Sequence, residues 1–223
     1  VAAMYIDADF IVGGENREAY KAVKNLVEVG SGNVVICGPE GAGKTHLLNI
    51  GREKGGKSAL LCSTAAIMLR FDLDLGDDFF DQLGEIPLLF VDEIDAAVTH
   101  PETAKLLELM IAERNRRGLA TCFAARQIPD VLDLPDLARA MECFSVVEVA
   151  PFGIEGIRHA VDEFCGTFAA VDERKLDDSA REYVARIADT LPDARNMVQF
   201  LLQAADVEAG ATIDEQAVRR LIA

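Results

Sequence analysis

Short apolar runs alternate with helical patterns along the first two thirds of the chain. Each run is nearly all apolar, as expected for a strand that is buried on both faces of a sheet. Strands that alternate with helices in this way predict an α/β fold, with a parallel sheet flanked by helices. The predicted strands are Val34–Cys37, Ala59–Cys62, Leu88–Val91, Leu119–Ala124 and Val146–Val149.

After Pro151 the pattern changes, because the sequence shows no further strand-like run. Apolar residues recur there at helical spacing: Ile157, Val161, Phe164 and Phe168, then Tyr183, Val184, Ile187 and Leu191, then Met197, Leu201 and Ala204. Thr212–Glu215 has the capping-box pattern that predicts the start of a last helix. We therefore expect two domains, an α/β domain over 1–150 and a small all-helical domain over 151–223.

Composition and charge limit the possible partners. The apolar runs are far shorter than the ~20 residues that span a bilayer, and Val1–Tyr5 lacks an export signal, so we expect a cytoplasmic protein with no membrane partner. The formal charge of −16 argues against strong intrinsic binding of duplex DNA. The arginines at 114, 116 and 117 are expected to end a helix before Gly118. The five cysteines are unclustered, which predicts buried, reduced thiols.

The segment Gly38-Pro39-Glu40-Gly41-Ala42-Gly43-Lys44-Thr45 matches the pattern of a phosphate-binding loop, G-x-x-x-x-G-K-[ST]. It follows a predicted strand and precedes a predicted helix, an order that aims backbone N–H groups and a helix N-terminus at phosphate oxygens. Lys44 can then reach the β- and γ-phosphates, and the Thr45 hydroxyl can bind Mg²⁺. The sequence thus predicts a nucleotide site.

Two carboxylates follow the strand predicted at Leu88–Val91. Asp92 is expected to hold Mg²⁺, directly or through water, and Glu93 to orient and activate the attacking water. An acidic pair after a strand can also be a solvated strand end. Its distance from Lys44, with one predicted strand between them, favours the catalytic interpretation.

Several segments together resemble a known family. One stretch looks like the opening of the AAA+ domain of the bacterial replication initiator DnaA and its shortened relative Hda. It consists of Phe10-Ile11-Val12-Gly13-Gly14-Glu15-Asn16, followed by Ala19 and then by the letters GPEGAGKTHLL. The match continues in the letters LPDLAR, which end at Arg139, and DAR, which end at Arg195. It covers the chain from about Phe10 to the C-terminus.

The resemblance implies an AAA+ fold with strand order 5-1-4-3-2 and a helical lid. It also implies an ATP/ADP site with Mg²⁺, in which Ile11–Asn16 line part of the adenine pocket and Arg195 is the sensor 2 arginine. The segment 63–85 is too short for the paired helices that DnaA carries there, and no helix-turn-helix pattern follows, so we expect a chain closer to the short regulatory members. The expected nucleotide-binding residues are Ile11, Val12, Asn16, Gly38, Pro39, Glu40, Gly41, Ala42, Gly43, Lys44, Thr45, His46 and Arg195.

Two segments depart from the family pattern. Where a polar or acidic sensor 1 is usual, the chain has Ala124-Ala125-Arg126-Gln127-Ile128-Pro129. Where relatives place an arginine finger, Arg139 is offset by one residue and Ala140 takes the expected position. Arg139 is therefore a candidate finger, with an ordinary surface arginine as the alternative.

These features favour a regulator of replication initiation with slow or partner-stimulated ATP hydrolysis. DnaA or another AAA+ replication protein is the expected partner; the sliding clamp and self-association are further candidates, although the chain lacks a Q-L-x-L-P-L clamp-binding stretch. A nucleotide-dependent adaptor that does not hydrolyse ATP is one alternative. A DnaC-type helicase loader is another, which the predicted lid helices and the acidic charge oppose.

Overall fold

The structure is a computed structural model that describes residues 10–72, 77–127, 135–169, 174–204 and 210–222. The chain forms two compact units that meet in sequence at Ala150 and Pro151. Three positions of predicted motifs, Ile128, Pro129 and Leu134, lie outside the described residues, as does the segment Val1–Tyr5.

Alternating helices and strands form the first unit. In chain order they are α1 (Arg17–Val29), β1 (Asn33–Cys37), α2 (Lys44–Gly55), a 3₁₀ turn (Gly56–Ser58), β2 (Ala59–Ser63), α3 (Thr64–Asp72), α4 (Asp77–Glu85), β3 (Leu88–Asp92), a 3₁₀ helix (Ile94–Thr99), α5 (Pro101–Arg117), β4 (Ala120–Ala125), α6 (Pro135–Ala140) and β5 (Ser145–Glu148).

The five strands form one parallel sheet in the order β2-β3-β4-β1-β5. This order and the predicted strands are confirmed, and each observed bound lies within one residue of the predicted one. Strand β1 lies between β4 and β5, so that Cys37 pairs with both Ala125 and Glu148. The carboxyl ends of β1, β3 and β4 therefore lie side by side at one edge of the sheet.

Each of the three central strands contributes to two hydrophobic cores, one on each face of the sheet. On β1, Val35 and Cys37 pack with α5, whereas Val34 and Ile36 pack with α1 and α2. The same alternation continues along β3 and β4. Burial on both faces explains why these strands are continuous apolar runs.

Helix α5 ends as predicted, with Gly118 in the left-handed conformation (φ 69°) after the three arginines. Arg114 differs from the other two, because its side chain is fully buried. Its Nε donates to Thr121 Oγ1 (2.9 Å), and its Nη1 donates to the carbonyl oxygens of Leu83 (2.6 Å) and Ile86 (2.8 Å). Burial lowers the pKa of Arg114 to about 10, so the guanidinium stays charged at neutral pH.

Two expectations for the first unit are wrong. The segment 63–85 was expected to be too short for paired helices, yet it holds α3 and α4, which have nine residues each. The cysteines were expected to be buried, yet Cys143 is exposed. Cys37, Cys122 and Cys165 are buried free thiols, and burial raises the pKa of Cys37 to about 11.

The second unit contains α7 (Ile154–Ala169), β6 (Lys175–Leu176), α8 (Asp178–Ile187), α9 (Leu191–Gln203), β7 (Thr212–Ile213) and α10 (Glu215–Leu221). The prediction of helices only is wrong, because β6 and β7 pair in parallel. The capping box at Thr212 is also wrong. Thr212 lies in β7, and the N-cap of α10 is Asp214, whose Oδ1 accepts from Ala217 N (2.8 Å).

Within the described ranges, no helix combines the length and the apolar character that crossing a membrane requires.

Candidate nucleotide site

The phosphate-loop sequence connects β1 to α2 at the carboxyl edge of the sheet. Gly38 N donates to Ala125 O (3.2 Å), which fixes the start of the loop against β4. A Cβ at Gly38 would lie 2.2 Å from Val149 O, so a side chain does not fit there. Gly43 has φ 91°, a left-handed conformation that an L side chain rarely adopts, directly before the first turn of α2. The loop therefore needs glycine at both places for its own geometry.

Lys44 is the first residue of α2, and its side chain folds back over the loop. Its Nζ donates to Gly38 O and Pro39 O, both at 2.7 Å. Partial burial lowers the pKa of Lys44, an effect that nearby Asp92 and Asp95 oppose. The ammonium group is thus held at the loop by hydrogen bonds to two backbone carbonyl oxygens, which other acceptors can replace.

Thr45 and Asp92 meet across the sheet edge, because Thr45 Oγ1 donates to Asp92 Oδ2 at 2.6 Å. The other oxygen, Asp92 Oδ1, accepts from the backbone N–H of Glu93 at 2.9 Å. The two predicted metal ligands are therefore adjacent, and one carboxylate joins the phosphate-loop helix to β3.

Glu93 has an unusual backbone conformation. It is the one described residue other than glycine with a positive φ (φ 56°, ψ 47°), and its side chain is exposed. Such a conformation costs on the order of 1–3 kcal/mol in a non-glycine residue, and it often marks a functional position. The chain passes there from β3 into the 3₁₀ helix, and the Glu93 side chain is exposed at this junction.

The segment from Phe10 to Asn16 forms a closed turn. Asn16 Oδ1 accepts from Gly13 N (2.9 Å), and Asn16 Nδ2 donates to Ile11 O (2.8 Å). Asn16 is buried, so its amide shapes the turn, whereas Val12 is exposed. The Phe10 ring contacts the His46 ring edge to face, with 4.9 Å between centroids, which places the turn beside the first residues of α2.

An acidic and a basic residue that were not expected to interact form a pair at the same edge of the sheet. Asp95 lies in the 3₁₀ helix after Glu93, and Arg126 directly follows β4. Asp95 Oδ1 accepts from the backbone N–H of Arg126 (3.0 Å), and Asp95 Oδ2 lies 3.2 Å from Arg126 Nε. In the sequence Arg126 stands out as a departure from the family pattern, whereas the only signal for Asp95 is its place three residues after Asp92.

The two remaining candidate arginines lie apart from this cluster in the chain. Arg139 is on α6, is 73% exposed at its side chain, and forms an ion pair with Asp136 (3.6 Å). Arg195 is on α9 in the second unit, with its guanidinium 5.9 Å from the centre of the Phe168 ring. Their assignments as finger and sensor 2 stay predictions.

The residues at the sheet edge fit a nucleotide with Mg²⁺. A hydroxyl and a carboxylate oxygen, which are adjacent here, are hard donors of the kind that Mg²⁺ prefers, and Mg²⁺ is commonly held by one or two such groups together with phosphates and waters. Within the described part of the chain, no group of three or more His, Cys, Asp or Glu residues could hold a metal ion.

A comparison with solved structures identifies the fold. Domain III of the replication initiation protein DnaA from Thermotoga maritima is similar at a TM-score of 0.83 and 17% identity, over 99% of this chain and 96% of that one. AMPPCP-bound DnaA from Aquifex aeolicus is similar at a TM-score of 0.78 and 20% identity, over 91% of this chain and 66% of that one. The RuvB Holliday junction branch migration motor of Thermotoga maritima is similar at a TM-score of 0.70 and 17% identity, over 95% of this chain and 69% of that one.

The chain therefore has the AAA+ fold, and the strand order of its sheet fits this assignment. No protein-family model matches the sequence, and a search of curated proteins finds no match. The chain spans 66% of the length of the DnaA chain from Aquifex aeolicus. At identities of 17 to 20%, these likenesses describe the fold and leave the activity to be argued from the site.

Proposed function

We propose that this chain binds ATP and ADP with Mg²⁺ as a nucleotide-dependent regulator related to the replication initiator DnaA. The observation that carries the proposal is the contact of Thr45 Oγ1 with Asp92 Oδ2 at 2.6 Å, next to a lysine held inside a glycine-rich loop. This arrangement joins the three groups that a P-loop nucleotide site requires: a cation, a hydroxyl and a carboxylate. The AMPPCP bound to the similar DnaA structure supports it.

Nucleotide binding would exchange contacts that the chain already makes. Lys44 would replace the carbonyl oxygens of Gly38 and Pro39 with phosphate oxygens, which bond an ammonium group more strongly because they are charged. The backbone N–H groups of the loop and of the α2 N-terminus would face the phosphates. Mg²⁺, held through Thr45 and Asp92, would neutralise charge on the β- and γ-phosphates.

Glu93 is the residue we assign to hydrolysis. Its side chain is exposed. Its hydrogen bond to Asp92 is made by the backbone N–H and does not involve the carboxylate. It is therefore available to accept a proton from an attacking water. We propose slow hydrolysis, because the Arg139 side chain is exposed and an arginine finger acts on the phosphate of a neighbouring subunit. A partner would then stimulate the reaction.

The regulatory role is proposed from the fold together with the charge. The DnaA structures share the fold over nearly the whole chain. The formal charge of −16 disfavours a direct role on duplex DNA and favours contacts with proteins. We therefore propose DnaA or another AAA+ replication protein as the partner, with the sliding clamp and a second copy of this chain as further candidates.

A nucleotide-dependent adaptor is the second candidate function. It is favoured by Arg126, which stands paired with Asp95 where relatives usually place a polar or acidic sensor 1. An adaptor would bind ATP tightly and hydrolyse almost none of it. Glu93 argues against this alternative.

The partner assignment predicts nucleotide-dependent capture. Immobilised chain should retain purified DnaA in one nucleotide state, ATP or ADP, at least several-fold more than in the other, because contacts across a nucleotide site change with its phosphates. Sliding clamp and replicative helicase are tested in parallel, with chain carrying Lys44→Ala as the control. Equal capture of DnaA in both states would contradict a nucleotide-controlled contact, and selective capture of the helicase would favour the loader.

A further inference from the structure

Two arginines of the second unit share one carboxylate oxygen and one aromatic ring. Arg219 on α10 donates from Nε (2.9 Å) and from Nη2 (2.7 Å) to Glu215 Oε1, and Nη2 of Arg186 on α8 lies 3.5 Å from the same oxygen. The Arg219 guanidinium lies 4.2 Å, and that of Arg186 5.2 Å, from the centre of the Tyr183 ring, which is within the range of cation–π interactions. Three guanidinium nitrogens from two helices therefore converge on one oxygen. We call Arg186 and Arg219 the arginine pair.

The arginine pair is open to solvent. The side chains of Arg186 and Arg219 are 53% and 54% exposed, and that of Glu215 is 34% exposed. The Tyr183 ring restricts both guanidinium groups, so less conformational entropy is lost when they bind an anion. The pair thus presents two ordered cations where a partner can reach them.

Glu215 holds the position that an external acidic group would take. Its backbone N–H donates to Ser179 Oγ (3.2 Å), so the start of α10 is held on α8 independently of the Glu215 side chain. Exposed ion pairs of this kind contribute little in water, so the carboxylate can leave the arginine pair at small cost. The freed guanidinium groups would then offer forked donors that match another carboxylate in a bidentate geometry.

We propose that the arginine pair is a docking site for an acidic segment of a partner protein, and that Glu215 occupies this site in the free chain. The group now bound there is a carboxylate, which sets the chemistry of the expected occupant. A chain with a formal charge of −16 repels acidic partners in general, so such a segment needs a local cationic site. A nucleic acid would be repelled along its whole phosphate backbone, which favours a protein. The proposal concerns the second unit alone and does not depend on nucleotide binding.

The test is the affinity of the full chain for a fluorescently labelled hexapeptide of glutamate, measured by anisotropy at low ionic strength. Arg219→Gln should weaken binding by about fivefold to tenfold, because charge-assisted hydrogen bonds to the peptide are lost. Glu215→Gln should strengthen binding by up to about fivefold, because it removes the competing carboxylate. Thermal unfolding of each variant shows that it is folded.

The ion pair between Arg158 and Glu182 provides matched controls, since it also lies in the second unit and its side chains are 53% and 48% exposed. Arg158→Gln and Glu182→Gln make the same changes in net charge, yet both should bind the peptide within about twofold of the parent. Equal effects in the two pairs would overturn the proposal, because net charge would then explain them.

A folded Glu215→Gln variant that binds the peptide no more tightly than the parent would also overturn the proposal. So would tighter binding of a single-stranded oligonucleotide than of the peptide, if Arg219→Gln weakens both, because the site would then select phosphates. Each of these outcomes leaves the proposed nucleotide site untouched, since that site is tested by substitution of Lys44 in the first unit.

Discussion

Replacing Glu93 with glutamine should lower ATP turnover by roughly 100- to 10,000-fold, the usual contribution of a general base. Glutamine has nearly the same shape but cannot accept the proton of an attacking water. ATP affinity should stay close to that of the parent, because Glu93 contacts Asp92 through its backbone N–H, which the substitution keeps. Single-turnover hydrolysis with protein in excess over labelled ATP measures the rate even when it is slow.

The control for this substitution is Glu142→Gln, which neutralises another exposed glutamate of the first unit. Its turnover should match that of the parent. Equal turnover in the parent and in Glu93→Gln would remove Glu93 from the reaction. A parent that binds ATP and shows no turnover would instead favour the adaptor.

The second large effect concerns stability. Arg114→Met should lower the free energy of unfolding by roughly 3–5 kcal/mol, because several buried acceptors lose their donor at once, each at a cost of about 1–3 kcal/mol. Arg114 joins the end of α4 to the start of β4, through Leu83 O and Thr121 Oγ1. Methionine fills similar space but donates no hydrogen bond, so the lost bonds dominate the change.

Thermal unfolding followed by circular dichroism gives the readout, and the expected drop in Tm is on the order of 10 °C. Arg116→Met is the control, since Arg116 is 70% exposed at its side chain and lies two residues away on the same helix. It should change Tm little, because exposed ion pairs contribute at most about 1 kcal/mol. Similar losses in the two variants would show that the buried hydrogen bonds of Arg114 contribute little.

The sheet could be predicted from sequence because its central strands are buried on both faces. This double burial produces uniform apolar runs, such as Leu88–Val91. Their order followed from the family resemblance. By contrast, β6 and β7 have two residues each, which is too short for any hydrophobic period. The N-cap of α10 was misplaced for a related reason, because Thr212 and Asp214 are both good capping residues and the strand β7 decides between them.

The parts of the site that belong to a sequence motif could be predicted. The parts that only the fold brings together could not. Gly38–Thr45 is continuous in sequence, and its link to Asp92 follows from neighbouring strand ends. The pairing of Asp95 with Arg126 joins the 3₁₀ helix after β3 to the end of β4 and has no motif of its own. Arg114 looks the same in the sequence as its exposed neighbours Arg116 and Arg117. The helical pattern alone does not show which of these arginines finds buried acceptors for its hydrogen bonds.

The central claim is that Lys44, Thr45 and Asp92 form a nucleotide site. Calorimetric titration of the parent, Lys44→Ala and Lys57→Ala with ATP and Mg²⁺ tests it most directly. Lys57 is an exposed lysine, so its variant should bind like the parent. Lys44→Ala should bind ATP roughly 10- to 100-fold more weakly with its Tm close to that of the parent, because a charged hydrogen-bond donor to phosphate is lost. A folded parent that binds neither ATP nor ADP, or a Lys44→Ala variant that binds ATP as tightly as the parent, would contradict the claim.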